Sequence, residues 1–330
     1  MTSPSTASRA DASPPRSRRA SRSTHEAACA GWYDGAAGSG GSRRHSRRSR
    51  RWPRRRRNDR RHAFRSTSPG PAPRVRGWRC SKGCIGDALF PDVNAHAAAL
   101  LELHGYEVIV PPEQTCCGAL DLHAGRSGRA LALARRNLDA FEAVGLGEPG
   151  GTHFVASTAA GCGAMLRDLS RHFGDAPGVT AQARRFELRV RDVTELLVAR
   201  APRAVPRPLP IVATYHPPCH LHHAQRVTEA PLALLRSIPG LTLVPLPRAE
   251  LCCGSAGIYN VLRPAMAGRV RDDKLDAIEA TGAGWLVTGN PGCHLHLVAG
   301  LAERGRTVRV IHPVSLLAIA HGLAPSESTT

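Results

Sequence analysis

The feature that most limits the fold is a cysteine pattern written twice. Cys84, the doublet Cys116 and Cys117 in "TCCGAL", and Cys162 in "AAGCGAML" form one set; Cys219, the doublet Cys252 and Cys253 in "LCCGSA", and Cys293 in "NPGCHLHL" form the other. The offset between the sets is nearly constant: 135 residues from Cys84 to Cys219, 136 from Cys116 to Cys252 and 131 from Cys162 to Cys293. A framework repeated at one period points to two homologous units, each positioning four thiols, within the 330 residues.

The text between the cysteines changes period in a regular way. "PDVNAHAAALLELHG" (91–105) has apolar residues at helical spacing and ends on a glycine, and "YEVIVPP" (106–112) then reads as a buried strand. After the CCG loop come a helix over 128–145, a strand over 153–158, and a glycine–cysteine turn opening a helix over 159–174. The second half repeats the order: strand 211–219, helix 229–238, strand 241–246, CCG loop, helix 263–282, strand 284–289, and a glycine–cysteine turn and helix over 290–305. It closes with strand "TVRVI" and helix "PVSLLAIAHG". Alternating strands and helices predict an α/β fold of two tandem homologous units with parallel sheets, over 77–200 and 211–322, joined by the Pro/Arg linker "RAPRAVPRPLP" (200–210).

The net charge of +19 is unevenly placed. Residues 1–76 hold 20 Arg against four acidic residues, which leaves the two units close to neutral. Clustered Arg is the footprint of a nucleic-acid binder, but "RRHSRRSRRWPRRRRNDRRH" lies in Ser-, Gly- and Pro-rich text with no hydrophobic period. The reading is a disordered, solvated Arg/Ser-rich tail, with a polyanion-binding arm and a transit peptide as alternatives; nucleic acid is not expected as a partner. Arg-rich text is also what a shifted frame or misplaced start gives in a GC-rich gene. No apolar run reaches the about 18 residues a membrane span needs, and no secretory h-region is visible, so a cytoplasmic location is expected. Ten cysteines without an export signal argue for metal or redox chemistry over a disulfide framework.

Every cysteine of the two sets follows a predicted strand or sits in a turn that opens a helix. In a parallel sheet such positions gather at the carboxyl ends of the strands, where ligands bind, and helix N-termini there favour thiolates. Four converging thiolates suit a tetrahedral zinc ion or an iron–sulfur cluster. Zinc sites space paired cysteines by about two to four residues, so adjacent thiolates suit a multinuclear cluster better; a vicinal disulfide is the remaining alternative.

The pattern Cys, about 32 residues, CCG, about 40 residues, Cys, in duplicate, resembles the cysteine-rich CCG domain shared with the heterodisulfide reductases. The wording between the cysteines is closer to the iron–sulfur subunits of glycolate oxidases: "GCIGDALFPDVNAHAAALLELHGYEVIVPPEQTCCGALDLHAG", "GCGAML", "HPPCHLHHAQR", "LCCGSAGIYNVLRPAMAGRVRDDKLDAI" and "TGNPGCHLHL", within about residues 78–322. The resemblance implies an electron-transfer subunit with no catalytic residue of its own. A flavoprotein partner carrying FAD would oxidise glycolate to glyoxylate, and this subunit would pass the electrons toward a quinone or other acceptor, in the cytoplasm or peripheral to the inner membrane. It also implies up to two [4Fe-4S] clusters, one held by Cys84, Cys116, Cys117 and Cys162 and one by Cys219, Cys252, Cys253 and Cys293. The rival readings are a heterodisulfide-reductase-like thiol–disulfide reductase and a zinc-stabilised interaction module.

Two departures from the family pattern carry expectations of their own. The reductase pattern closes each unit with Cys-x-x-Cys, where this chain has "GCGAM" (161–165) and "GCHLH" (292–296). His294 or His296 is the candidate substitute in the second unit, and Met165 is a poor one in the first. The family's ferredoxin-like N-terminal module has no counterpart in residues 1–76, which suggests a truncated or frame-shifted product or a separate ferredoxin-like partner. Cys29 is expected to be inert, and Cys80, unmatched in the second unit, is not counted as a ligand. His216, His220, His222 and His223 beside Cys219 read as surface and supporting polarity more than as a metal or proton-relay site. Asp121 and His123 read as groups supporting the first doublet. No phosphate loop, nucleophile elbow or nicotinamide fingerprint is present.

Overall fold

The computed structural model describes residues 74–77, 85–146, 153–174 and 177–325. Residues 1–73 of the expected tail, Cys29, Cys80 and Cys84 lie outside the described residues, whereas residues 74–76, expected in the tail, belong to the first strand. The first unit runs β1 (Arg74–Gly77), α1 (Ile85–Leu89), α2 (Pro91–Leu103), β2 (Glu107–Ile109), α3 (Ala119–His123), α4 (Ser127–Ala143), β3 (Phe154–Ser157), α5 (Ala160–Leu166), α6 (Pro177–Glu187), β4 (Val190–Asp192) and α7 (Val193–Val198). The second runs β5 (Val212–Tyr215), a π-helical turn (His220–Ala224), α8 (Glu229–Arg236), β6 (Thr242–Val244), α9 (Tyr259–Leu262), α10 (Pro264–Glu279), β7 (Trp285–Val287), α11 (Pro291–Glu303), β8 (Arg309–Ile311) and α12 (Pro313–Ala320).

Each unit builds a four-stranded parallel sheet, in the orders β2-β1-β3-β4 and β6-β5-β7-β8, and element for element the two orders coincide. The α/β class and the tandem repeat read from the sequence are therefore the ones observed. In each sheet the chain steps from its first strand to one neighbour and then returns past it to the other side. The winding thus reverses between β1 and β3 and between β5 and β7, and a crevice opens at the carboxyl ends of strands at such a reversal. The segments carrying Cys84 and Cys162 follow the two central strands of the first sheet, and those carrying Cys219 and Cys293 follow the two central strands of the second. The repeat alone thereby brings the described cysteines of both sets toward two sheet crevices.

Helix starts are locally encoded. Pro91, Pro264, Pro291 and Pro313 occupy first-turn positions, where a missing N–H costs nothing. Asp192 caps α7 through a complete capping box with Glu195. At the equivalent place in the second unit, His312 caps α12 by accepting from the Val314 amide at 3.2 Å.

One core belongs to both units. Leu100 and Leu101 of α2 and Leu196 and Leu197 of α7 pack with Leu234 and Leu235 of α8 and Leu316 and Leu317 of α12. Helix α2 lies on α12 and α7 lies on α8. Because α2 corresponds to α8 and α7 to α12, the units exchange matching contacts as the halves of an isologous dimer do, here on one chain. Burial of each such leucine contributes about 1.5–3 kcal/mol, so this shared layer fixes how the two crevices face each other. The linker is tied to both sides: the Arg203, Arg207 and Leu209 amides donate to the Leu103, Ala320 and Pro239 carbonyls at 3.0, 2.7 and 2.7 Å.

The structure adds elements that hydrophobic spacing does not show. The β4–α7 pair and α6 lie in text with no predicted element, although the closing strand and helix of the second unit are their counterparts. The helix expected over 159–174 is α5 followed by a separate 3₁₀ turn at Leu169–His172. The first strand begins at Arg74. Among the described residues no helix is long and apolar enough to cross a membrane.

Candidate metal centre

The glycine of each doublet explains the CCG sequence. Gly118 and Gly254 have φ of +83° and +89°, in the left-handed region where other residues are strained. A Cβ on Gly118 would lie 3.0 Å from the Ala130 carbonyl oxygen of α4, and one on Gly254 would lie 2.5 Å from the Ala267 carbonyl oxygen of α10. The turn also aims the backbone at sulfur: the Gly118 amide donates to Cys116 Sγ at 3.5 Å and the Gly254 amide to Cys252 Sγ at 3.3 Å. Within each doublet the first cysteine is half-buried and the second buried.

A residue seven positions beyond each contacted alanine pins the loop from below. In the first unit Asn137 accepts from the Thr115 amide at 2.6 Å and donates to the Cys116 carbonyl at 2.9 Å. In the second the same position is Lys274, whose ammonium donates to the Arg248 and Ala249 carbonyls at 2.6 and 3.3 Å while the residue is only 2 % exposed. Burial holds the Lys274 pKa below its ordinary value.

Seven cysteines line one cavity of about 90 Å³ between the units: Cys116, Cys117 and Cys162 from the first, and Cys219, Cys252, Cys253 and Cys293 from the second. Ile85, the neighbour of Cys84, lines it too. The two crevices expected separately thus open onto each other. All seven cysteines are free thiols, so neither doublet forms a vicinal disulfide. Cys219 Sγ and Cys252 Sγ are 4.0 Å apart.

The second set shows how such thiols share charge. Cys219 donates to Cys252, which raises the Cys219 pKa and lowers that of Cys252. Cys293 is held well below the ordinary thiol range, first by its contact with Cys253 and against the effect of burial. Cys253 is raised by its contacts with Cys252 and Cys293 and by burial. In the first set the contact with Cys116 raises Cys117. Like charges at this spacing oppose each other's ionisation, so a full set of thiolates requires cationic charge among the sulfurs. That donor set fits a metal or metal–sulfide group.

Neighbouring polar groups bind the two crevices together. Asn290 accepts from the Gly161 amide at 3.1 Å and donates to Cys293 Sγ at 3.4 Å, linking the glycine–cysteine turns of both units. Gln225 donates to the Ala160 carbonyl at 2.9 Å. Neither Asn290 nor Gln225 carries a spacing signal; Asn290 stands in the "NPGC" turn, where a side chain beside the helix-opening cysteine was the only available hint.

The histidines divide. His222 and His223 meet edge to face, and His223 bonds the Glu250 carbonyl at 3.1 Å on the exposed side, in keeping with surface polarity. His220 lies at the cavity, with Nδ1 3.7 Å from Cys219 Sγ and its ring over that of His123. His294 packs on Phe90 with ring centroids 4.6 Å apart, and His296 turns Nε2 to the Ala267 carbonyl at 3.4 Å. His216 is fully buried, and one of its ring nitrogens and the Cys253 and Cys293 sulfurs all lie within 4.8 Å of one another. Grouping His216 with the surface histidines is corrected: it extends the β5 ladder, its amide donating to the Val287 carbonyl at 2.9 Å, and it is fully buried. Asp121 pairs with Arg126 and Arg129 at 2.9 and 3.4 Å, which braces the turn into α4.

Two facing α/β crevices lined by duplicated CCG cysteine sets define a class. The chain belongs to the CCG cysteine-rich domain family, whose profile matches residues 80–167 and 213–298. It is 36 % identical over 244 residues to the probable glycolate oxidase iron-sulfur subunit of Bacillus subtilis (strain 168), covering 73 % of this chain and 54 % of that one. It is 35 % identical to the glycolate oxidase iron-sulfur subunit of Escherichia coli (strain K12), covering 68 % and 54 %. Lactate utilization protein A of Shouchella clausii is 30 % identical over 71 % of this chain and 95 % of its own. The chain therefore spans about half the length of the glycolate oxidase relatives. A crystal structure of a hypothetical protein from Helicobacter pylori, 11 % identical, shares the fold with a TM-score of 0.52 over 78 % of this chain and 50 % of that one.

Proposed function

We propose that this chain is the iron–sulfur electron-transfer subunit of a 2-hydroxy-acid oxidase complex. The observation that carries the reading is the convergence of cysteines from both repeats on one cavity, in a chain whose relatives are named as iron–sulfur subunits. Cys84, Cys116, Cys117 and Cys162 would hold one cluster and Cys219, Cys252, Cys253 and Cys293 another, each of the [4Fe-4S] type. Bound clusters supply one-electron carriers; the chain supplies the rest. The amides of Gly118 and Gly254 stabilise negative charge on the outer sulfur of each doublet. Asn290 does the same for Cys293 and holds the two turns at a fixed separation. The shared leucine layer keeps both crevices in register, and the cavity's apolar walls limit water around the sulfurs.

The substrate would be oxidised on a flavoprotein partner carrying FAD, with electrons leaving to a quinone or other acceptor at the inner membrane and a ferredoxin-like protein as a further carrier. Glycolate is favoured by the higher identity to the glycolate oxidase subunits, lactate by the fuller coverage of lactate utilization protein A. Co-expression with candidate flavoproteins decides the matter. The expected outcome is acceptor reduction by glycolate or lactate that requires this chain and is lost in Cys117→Ala and Cys253→Ala. Acceptor reduction unchanged by both substitutions would overturn the electron-carrier role.

A further inference from the structure

A buried imidazole needs partners for its two ring nitrogens, and where the neighbours are thiols a metal can supply one. His216 is 0 % exposed, neither ring nitrogen has an oxygen or nitrogen partner within hydrogen-bond distance, and the group it interacts with is the Cys293 sulfur, whose thiolate it helps stabilise. Its backbone is fixed by the bond to Val287, which continues the β5–β7 ladder by one residue. What faces it is sulfur: one ring nitrogen lies within 4.8 Å of both Cys253 Sγ and Cys293 Sγ, themselves buried. We infer that His216 is a nitrogen ligand of the metal centre built on the second cysteine set, which makes the two centres chemically unequal.

Of the other histidines of this unit, His220 stands beside Cys219 at the cavity wall and away from Cys253 and Cys293, and the two nearest Cys293 in sequence are committed elsewhere. His294 packs on Phe90, and His296, although it stands three residues after Cys293, directs Nε2 to the Ala267 carbonyl. In the sequence the first unit has a different residue at this place. Gly77 pairs with Ala156 as Tyr215 pairs with Val287, so the residue after the strand is Trp78 in one unit and His216 in the other. An indole N–H is a donor only and cannot ligate a metal. A neutral imidazole in place of a thiolate leaves a cluster less negative and easier to reduce, as where two histidines replace two cysteines at one iron of a [2Fe–2S] centre.

This inference rests on the iron–sulfur reading, and the test separates the two. The full chain is purified anaerobically, its iron and acid-labile sulfide are measured, and pulsed electron–nuclear spectra are recorded on protein with natural or ¹⁵N-labelled histidine. The wild type should show a directly bound imidazole nitrogen that shifts with the label, and so should His296→Gln. His216→Ala should lose that coupling and release iron from the second centre to a chelator at least about tenfold faster. His216→Cys should retain iron, lose the nitrogen coupling and lower the reduction potential of that centre. Normal iron and sulfide with no imidazole coupling in the wild type, or a coupling that survives His216→Ala or disappears in His296→Gln, would overturn the ligand assignment alone. Protein that binds zinc without sulfide would overturn the iron–sulfur reading as well.

Discussion

The two units share strand order, cysteine spacing and the glycine turn, yet the surroundings of their cysteines differ. Under the first doublet the loop is pinned by a neutral Asn137; under the second, by the buried cation Lys274. Cys162 is half-buried, whereas Cys293 is buried and bonded to Asn290. After the first strand comes Trp78, after its counterpart a buried His216. Duplication preserved what positions sulfur, and the residues behind the sulfur diverged. Backbone geometry is thus the shared requirement, and local charge is what distinguishes one set from the other.

The comparison breaks most completely at the cysteines. Cys117→Ala and Cys253→Ala should each abolish metal at their own set and leave the other set loaded, read as iron per chain; loss of both sets from one substitution would mean a single centre spans the cavity. Next come the glycines. Gly254→Ala should destabilise by about 3–5 kcal/mol and Gly118→Ala by about 1–3 kcal/mol in denaturant titrations, because the new Cβ meets the helix carbonyl at 2.5 Å in one case and 3.0 Å in the other.

The equivalent caps Asp192 and His312 should respond to pH with opposite signs. Burial raises the Asp192 pKa to about 6, so the folded state holds a proton the unfolded chain has released, and this contribution to stability falls as pH rises from about 4 to about 6. Burial lowers His312 to about 4, so its contribution rises between about 4 and 6.5. Each is worth about 3 kcal/mol across its window, and together they largely offset each other. Asp192→Asn should therefore expose a stability that climbs with pH, and His312→Asn one that falls, over the same range of thermal melts. Smallest in stability are the pins. Lys274→Met and Asn137→Leu should each cost about 1–3 kcal/mol by leaving loop carbonyls or amides unpaired, but only the Lys274 change should lower the reduction potential of its centre.

Much of this was legible in the residues. The near-constant cysteine offsets announced the repeat, and the apolar run "GWLVTG" marked a buried parallel strand, whereas "YEVIVPP", expected buried, forms the edge strand β2 with Glu107 and Val110 exposed. The β4–α7 pair was not legible, because "RVRDVTELLVAR" contains a three-residue strand bordered by charges, too short for a period to emerge. The meeting of the two crevices depends on α2 against α12 and α7 against α8, contacts between elements far apart in sequence. His216 looked like one of four clustered histidines; only the ladder beyond β5 shows that it alone is buried beside sulfur.

The central claim is that both cysteine sets hold iron–sulfur centres at one shared cavity. Its most direct test is metal and acid-labile sulfide analysis of the anaerobically purified chain. The account predicts iron and sulfide in equal amounts, with half of each removed by Cys117→Ala and the other half by Cys253→Ala. Zinc in place of iron, or iron without sulfide, would contradict it.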